Sequence, residues 1–482
     1  MKLKNLLQGI QILNTNMDME TEIGSVAYDS RKVQPGGMFV AITGFATDGN
    51  KYIPMAMEKG AAVVVTSKQP SEDVPYVQVA SDRLALALIG CNYHGRPGES
   101  MKLIGVTGTN GKTSSTLLLK HVLEQALGAK VGLMGTMENM IGDVSIPTER
   151  TTPESFELQA LLAQMRDAGC THAIMEVSSH AIALDRVAGL HYTVGSFTNL
   201  TEDHLDFHKD MEDYCDTKAQ LFGRCDKAVA NQDDSWFRRM CGDAKCPVLT
   251  VSAKTEAGLY AQDVELLSDG IRFTAVYGQQ RVPVRLPIPG KFTVYNALNV
   301  LGMALQLDIS LEDAAAALAT ANGVKGRVEV VPTPGKDYTV LIDYAHTPDG
   351  LENVLSSVKG FCKGRLIAVF GCGGDRDPIK RPIMGRIGAE IADIAIITSD
   401  NPRTEDPERI VQDIVAGISE ENNYEVIVNR VEAIHHAMDI AQKHDIIVLA
   451  GKGHETYQEI CGVKHHMDER EIVAEYLEKT RN

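Results

Sequence analysis

Gly108-Thr109-Asn110-Gly111-Lys112-Thr113 sets two glycines, a lysine and a threonine directly after the apolar run Leu103 to Val106 and at the opening of a helical pattern. Backbone N–H groups of such a loop face a phosphate, and the helix dipole favours its charge. Lys112 can reach the terminal phosphate, and the Thr113 hydroxyl can hold Mg²⁺. ATP is the expected ligand. The general phosphate-loop pattern asks for a glycine where this chain has Val106, so the generic match is imperfect.

Two further segments set ionisable groups after apolar runs, at the strand ends where open α/β sheets bind ligands. Glu176 lies in IMEVSSH and His204 in FTNLTEDHLDFH. A carboxylate or neutral imidazole there can join Thr113 around Mg²⁺, although Mg²⁺ prefers oxygen ligands and usually keeps water. Taken singly, each reads better as a hydrogen-bonded structural group, and it is their positions after successive strands that favour a ligand role. Lys218, in YCDTKAQLF on a helical stretch, reads on its own as solvated surface.

The C-terminal part offers GCGGDRDPIKRPIMG (371–385), SDNPRTEDP (399–407) and GKGHE (451–455), each after an apolar strand and so on one rim of one sheet. The first approaches a dinucleotide fingerprint, but its third glycine position is Arg376, which argues against NAD. Arg376, Arg403 and Glu455 suit a ligand carrying both carboxylate and ammonium groups, because a guanidinium fork binds carboxylate bidentately.

The elements that must position these residues follow from the hydrophobic pattern. Short apolar strands alternate with amphipathic helices, which predicts an α/β protein with parallel sheets covered by helices. With 482 residues, at roughly 150 per domain, about three domains are expected. Residues 1–98 read as a small mixed α/β domain closed by the Gly- and Pro-rich stretch Cys91 to Ser100. Residues 99–327 read as a central phosphate-loop domain with a parallel sheet, turning antiparallel between Tyr260 and Pro289. Residues 328–482 read as a Rossmann-like, doubly wound domain of five strands.

Composition limits the function further. A net charge of −17 repels nucleic acid and anionic membranes, so neither is an expected partner. No run of about 18 apolar residues suggests membrane insertion, and the N-terminus has no signal-peptide pattern. Nine cysteines without a CxxC pair fit reduced thiols in the cytoplasm.

In order along the chain, GTNGKT, EVSSH, TNLTEDHLDFH, the Lys218 segment, GKFTVYNALN, GRVE, DYAHTPD and the three C-terminal motifs resemble the Mur ligase family. The opening AYDSRKVQPGGMFVAITG and the GCGGDRD, DNPR and GKGHE set resemble, within it, the members that add an amino acid to the UDP-muramoyl-dipeptide, and DNPR further resembles those that add meso-diaminopimelate. The resemblance implies an ATP- and Mg²⁺-dependent amide ligase acting through an acyl phosphate on UDP-N-acetylmuramoyl-L-alanyl-D-glutamate, as a cytoplasmic monomer in peptidoglycan precursor synthesis. It implies that Gly108 to Thr113, Ser114, Asn296, Arg327 and Asp343 bind ATP, and that Ser30, Thr151, Thr152, Ser178 and Arg186 bind the muramoyl-dipeptide. Lys112, Glu176, His204 and Lys218 would be catalytic. Lys218 would be carbamylated and would join Thr113, Glu176 and His204 around the metal. Arg376, Asp400, Asn401, Pro402, Arg403, Gly451 and Glu455 would form the amino-acid pocket. Family members often carry Ser-Arg or similar where this chain has Thr201-Glu202, which adds a negative charge near the metal site. Addition of L-lysine, a folylpolyglutamate-type ligase, or a nucleotide-binding regulatory protein on the same fold are the alternatives.

Overall fold

The computed structural model describes residues 1–480 except 45, 46, 71, 72, 149, 206, 243, 268 and 420. Asp206 of the histidine-bearing motif therefore lies outside the described residues. Among the described residues four sheets form, three of them wrapped by helices and one a lone hairpin.

The N-terminal sheet has the order Ile12–Thr15, Tyr76–Val79, Val63–Thr66, Met38–Ala41, Val26–Ala27, parallel except for the first pairing. Its strand VVVT is buried at every position because both faces are covered. The helix Asp82–Tyr93 packs on it, capped by the Ser81 hydroxyl, which accepts from Leu84 N. Cys91 to Tyr93, which the sequence reading placed in a linker, are the last turn of this helix; the break comes at Gly95, where φ is 70°.

The central sheet has eleven strands. Lys102–Thr107 lies in its middle, with His172–Glu176 on one side and Tyr192–Phe197 on the other, all parallel. The chain runs outward in both directions from this strand, so a crevice must open at its C-terminal end. The loop after each of these three strands carries one motif: Gly108 to Gly111, Val177-Ser178, and Thr198 to His204. The strands Leu259–Leu267, Gly270–Tyr277 and Gln280–Leu286 make the expected antiparallel edge. The hairpin Asn139–Ile141 and Val144–Ile146 on the opposite edge was not expected, because its short, partly exposed strands carry no apolar run.

The C-terminal sheet has the order Glu329–Val331, Thr339–Asp343, Ile446–Ala450, Leu366–Phe370, Ile394–Ile397, Tyr424–Val426. Its five expected strands are parallel, and the sixth, Glu329–Val331, is an antiparallel edge that was not expected. Separate apolar cores fill its two faces. All three C-terminal motifs follow strand ends of this sheet, as expected, and the hairpin Tyr457–Ile460 with Val463–His466 folds against them.

Candidate active site

The phosphate loop leaves the central strand and turns directly into the helix Lys112–Leu127. Its glycines are obligatory. Gly108 has φ 144° and Gly111 φ 83°, and an added Cβ would come within 2.0 Å of Thr198 Oγ1 at the first and 2.6 Å of Asn296 Oδ1 at the second. Lys112, the first helical residue, curls back and donates to the carbonyls of Gly108 at 2.9 Å and Thr109 at 2.8 Å. Thr113 and Glu176 both line the cleft beside it.

Lys218 breaks the expectation of a solvated side chain. It is 1% exposed, and its Nζ donates to the same Gly108 carbonyl at 3.0 Å while lying 4.5 Å from the Tyr214 ring centre. Burial first, and then the neighbouring Lys112 charge, pushes its amine well below the usual lysine range. Glu176 ends its strand with its carboxylate held by Thr136, whose backbone N–H and hydroxyl each donate at 3.0 Å. His204 sits at φ 55° with its ring against His180, centroids 4.8 Å apart, and it also lines the cleft.

His208 was not singled out from sequence. Its buried ring joins the Ser179 hydroxyl at 2.9 Å to Asp213 at 3.0 Å, tying the loop of His204 both to the helix after Glu176 and to the helix that carries Lys218. The only sequence signal was its place four residues after His204 in the motif.

A cleft of about 890 Å³ separates the rims of the central and C-terminal sheets. Lys112, Thr113, Glu176, His204 and Asn296 face it from one side, and Arg327, Asp343 and Tyr344 from the other. Asp343 accepts from the backbone N–H of Val328 and of Ala345, both at 2.8 Å, and burial raises its carboxyl above the usual range. The Arg327 guanidinium lies 5.1 Å from the Tyr344 ring centre, and its buried Nε has no hydrogen-bond partner among the described residues. An orphaned donor in a cleft is a place for an acceptor such as a phosphate oxygen.

No group of three or more His, Cys, Asp or Glu side chains able to hold a metal is found among the described residues. The donors gathered here are a hydroxyl, a carboxylate and an imidazole. Thr113 and Glu176 suit a cation that keeps much of its water and takes the rest of its ligands from phosphate, which is the habit of Mg²⁺.

The residues expected to hold the muramoyl-dipeptide meet beside Glu176. Thr152 Oγ1 donates to the Glu176 carbonyl at 2.7 Å and lies 3.3 Å from Ser178 Oγ. Thr151 Oγ1 lies 3.0 Å from Thr136 Oγ1, and Arg186 pairs with Glu154 at 3.3 Å. Ser30 stands outside this network; its hydroxyl contacts Met55 Sδ at 3.3 Å.

A second cavity, of about 480 Å³, is walled by Thr136, Arg150 and Thr151 on one side and by Tyr344, Glu455 and Tyr457 on the other. Thr136 and Tyr344 line both cavities, so the two adjoin. Of the residues expected around the amino acid, Glu455 lines this space, and Asn401 donates to it at 2.9 Å. Arg376 is exposed on its loop. Arg403 is already engaged, donating to the Gly374 carbonyl at 2.7 Å and lying 3.3 Å from Glu459. Any carboxylate approaching Arg403 would have to join or displace Glu459. Asp400 and Gly451 touch across the rim, since a Cβ on Gly451 would lie 2.5 Å from Asp400 Oδ2. Pro402 packs its carbonyl against Gly374.

Over 486 residues the chain is 47% identical to the UDP-N-acetylmuramoyl-L-alanyl-D-glutamate--2,6-diaminopimelate ligase of Clostridium tetani, covering 99% of this chain and 100% of that protein. The chain belongs to the Mur ligase family. Residues 22–88 match the Mur ligase family catalytic domain, 106–304 the Mur ligase middle domain, and 326–453 the Mur ligase glutamate ligase domain. A second Mur ligase relative, the UDP-N-acetylmuramoyl-L-alanyl-D-glutamate--2,6-diaminopimelate ligase 1 of Clostridium acetobutylicum, is also 47% identical, over 99% of this chain and 100% of that protein. A solved structure of a UDP-N-acetylmuramoyl-L-alanyl-D-glutamate--2,6-diaminopimelate ligase superposes with TM-score 0.76 at 31% identity, covering 100% of this chain and 99% of that one. The three-sheet α/β architecture is thus that of the Mur ligases. Among the described residues no helix is long and apolar enough to cross a membrane.

Proposed function

We propose that this chain is an ATP-dependent ligase that joins meso-diaminopimelate to the D-glutamyl γ-carboxylate of UDP-N-acetylmuramoyl-L-alanyl-D-glutamate, in cytoplasmic peptidoglycan precursor synthesis. The observation that carries the reading is the adjoining pair of cavities. The phosphate loop and Glu176 border one, Glu455 borders the other, and Thr136 and Tyr344 line both. A carboxylate phosphorylated in the first space is within reach of an amine held in the second.

The dipeptide carboxylate attacks the γ-phosphorus of ATP, ADP leaves, and an acyl phosphate forms. The amine nitrogen then attacks the acyl carbon, phosphate leaves, and the nitrogen gives up a proton. Gly108 to Ser114 hold the triphosphate, Asn296, Arg327 and Asp343 surround the adenine, phosphates and ribose, and Lys112 offsets charge on the phosphates during transfer. Thr113, Glu176, His204 and Lys218 as its carbamate are the groups that would hold Mg²⁺, which when bound neutralises phosphate charge. Ser30, Thr151, Thr152, Ser178 and Arg186 position the nucleotide-linked dipeptide. Arg376, Asp400, Asn401, Pro402, Arg403, Gly451 and Glu455 receive the amino acid. The unpaired state of all nine cysteines suits a reducing compartment.

The test is phosphate release from purified protein with ATP, Mg²⁺ and the UDP-muramoyl-dipeptide against a panel of amino acids. Release is expected with meso-diaminopimelate and not with L-lysine, which lacks the distal carboxylate. Equal turnover of lysine would remove Arg403 from its role, and no release with any amino acid would remove the reading.

A further inference from the structure

Lys452 follows the strand Ile446–Ala450 by two residues and is 0% exposed. A fully buried ammonium needs partners that replace water, and the partners here are two of the amino-acid-pocket residues. Its Nζ donates to Glu455 Oε2 at 2.7 Å and to Asn401 Oδ1 at 2.8 Å, and it lies 5.1 Å from the Tyr457 ring centre.

These contacts divide the labour of the Glu455 carboxylate. Oε2 takes Lys452 and also the Asn401 amide, which donates at 2.9 Å. The orientation of that amide is fixed in turn, because Asn401 Oδ1 accepts from both Lys452 and the backbone N–H of Glu459, the latter at 2.9 Å. Oε1 has no hydrogen bond among the described residues, and Glu455 lines the smaller cavity. We infer that Lys452 is a positioning residue for recognition of the incoming amino acid: by occupying Oε2 and the Asn401 carbonyl it fixes the Glu455 carboxylate so that Oε1 is the atom offered to a substrate ammonium.

The inference deepens the proposed function and rests on it. A lysine serving only to stabilise the fold would affect every substrate alike or none. A lysine acting through Glu455 affects one. In Lys452→Met, KM for meso-diaminopimelate is expected to rise about tenfold or more, while KM for ATP and for the UDP-muramoyl-dipeptide stay within about twofold. Lys452→Arg, which keeps the charge but moves it, should give a smaller rise.

The experiment is a double-mutant cycle of Lys452→Met and Glu455→Gln, read as KM for each of the three substrates by phosphate release, with circular dichroism confirming the fold. The double variant should be no worse than Glu455→Gln alone, because Lys452 then has no carboxylate to orient. Independent, multiplying effects, or an unchanged KM for the amino acid in a folded Lys452→Met protein, would overturn the assignment. Should Lys452→Met not fold, the same cycle is run with Lys452→Arg and judged by the same non-additivity. Wild-type protein inactive with meso-diaminopimelate would refute the proposed function and this inference together. An active wild type with an additive cycle refutes this inference alone.

Discussion

Lys112, four residues on, and Lys218, 110 residues on, donate to one carbonyl oxygen, that of Gly108. Two ammonium groups so close, with Lys218 out of water, repel each other, and the strain falls on Lys218, whose amine is pushed well below its usual range by burial and then by Lys112. The shift favours the unprotonated amine, which is a nucleophile toward CO₂, and a carbamate on Lys218 would set a negative charge beside Lys112 in place of a second positive one. Each addition of CO₂ releases a proton, so acid should reverse it and bicarbonate restore it. Intact protein handled without acid is expected to weigh one CO₂ more than its sequence, and Lys218→Met should lose both that mass and about 10²–10³-fold in kcat, the scale of one electrostatic contributor. An unmodified mass with full activity would contradict this. The sequence hid Lys218 because its polar segment MEDYCDTKA looks solvated, while the contact that buries it reaches across 110 residues. His208 was hidden for the same reason. Gly108 to Thr113 was legible because its chemistry is written in consecutive residues.

At the scale of elements, the C-terminal sheet depends on one ion pair that closes its rim. Arg430, from the helix Arg430–Ile440, pairs with Glu469 of the helix Glu469–Lys479 at 2.8 Å, both side chains fully buried. The same guanidinium donates to the Ala450 carbonyl at 2.8 Å and to the Ser399 carbonyl at 3.4 Å. It thus ties together the ends of two strands that deliver the motifs of Asn401 and Glu455. Burial raises the Glu469 carboxyl, opposed by Arg430. Arg430→Met should cost about 3–5 kcal/mol, because Glu469 is left buried and unpaired, whereas Arg430→Met with Glu469→Leu should recover most of it. Denaturant midpoints of the full chain measure this; a double variant as weak as the single would show that the strand-end contacts dominate. Strands such as LIAVF and IIVLA were legible because both faces are buried and the run is wholly apolar. The hairpin Tyr457–Ile460 with Val463–His466 was not. Its turn pairs Cys461 at φ 49° with Gly462 at φ 79°, and cysteine stands where asparagine or aspartate would have signalled the turn.

At the scale of the whole molecule, the cleft is bridged by a carboxylate that belongs to neither cavity wall. Asp349, in the first turn of the helix Pro348–Lys359, accepts from Asn110 Nδ2 of the phosphate loop at 2.8 Å and from Thr201 Oγ1 at 3.0 Å. One C-terminal side chain therefore holds both the loop expected to carry the triphosphate and the loop that leads to His204. The contact joins the side of the cleft that carries Arg327 and Asp343 to the side that carries Lys112 and Glu176. Exposure of Asn110 weakens it, and about 1 kcal/mol is a fair value for hydrogen bonds of this kind. Asp349→Ala would then shift the nucleotide-free protein toward an open cleft and raise KM for ATP about fivefold, since nucleotide must supply the closure that the latch had supplied. Small-angle scattering should show a larger radius of gyration for the variant without nucleotide and equal radii once ATP is saturating. Equal radii at the start, with KM unchanged, would mean that packing elsewhere between the two units holds the cleft.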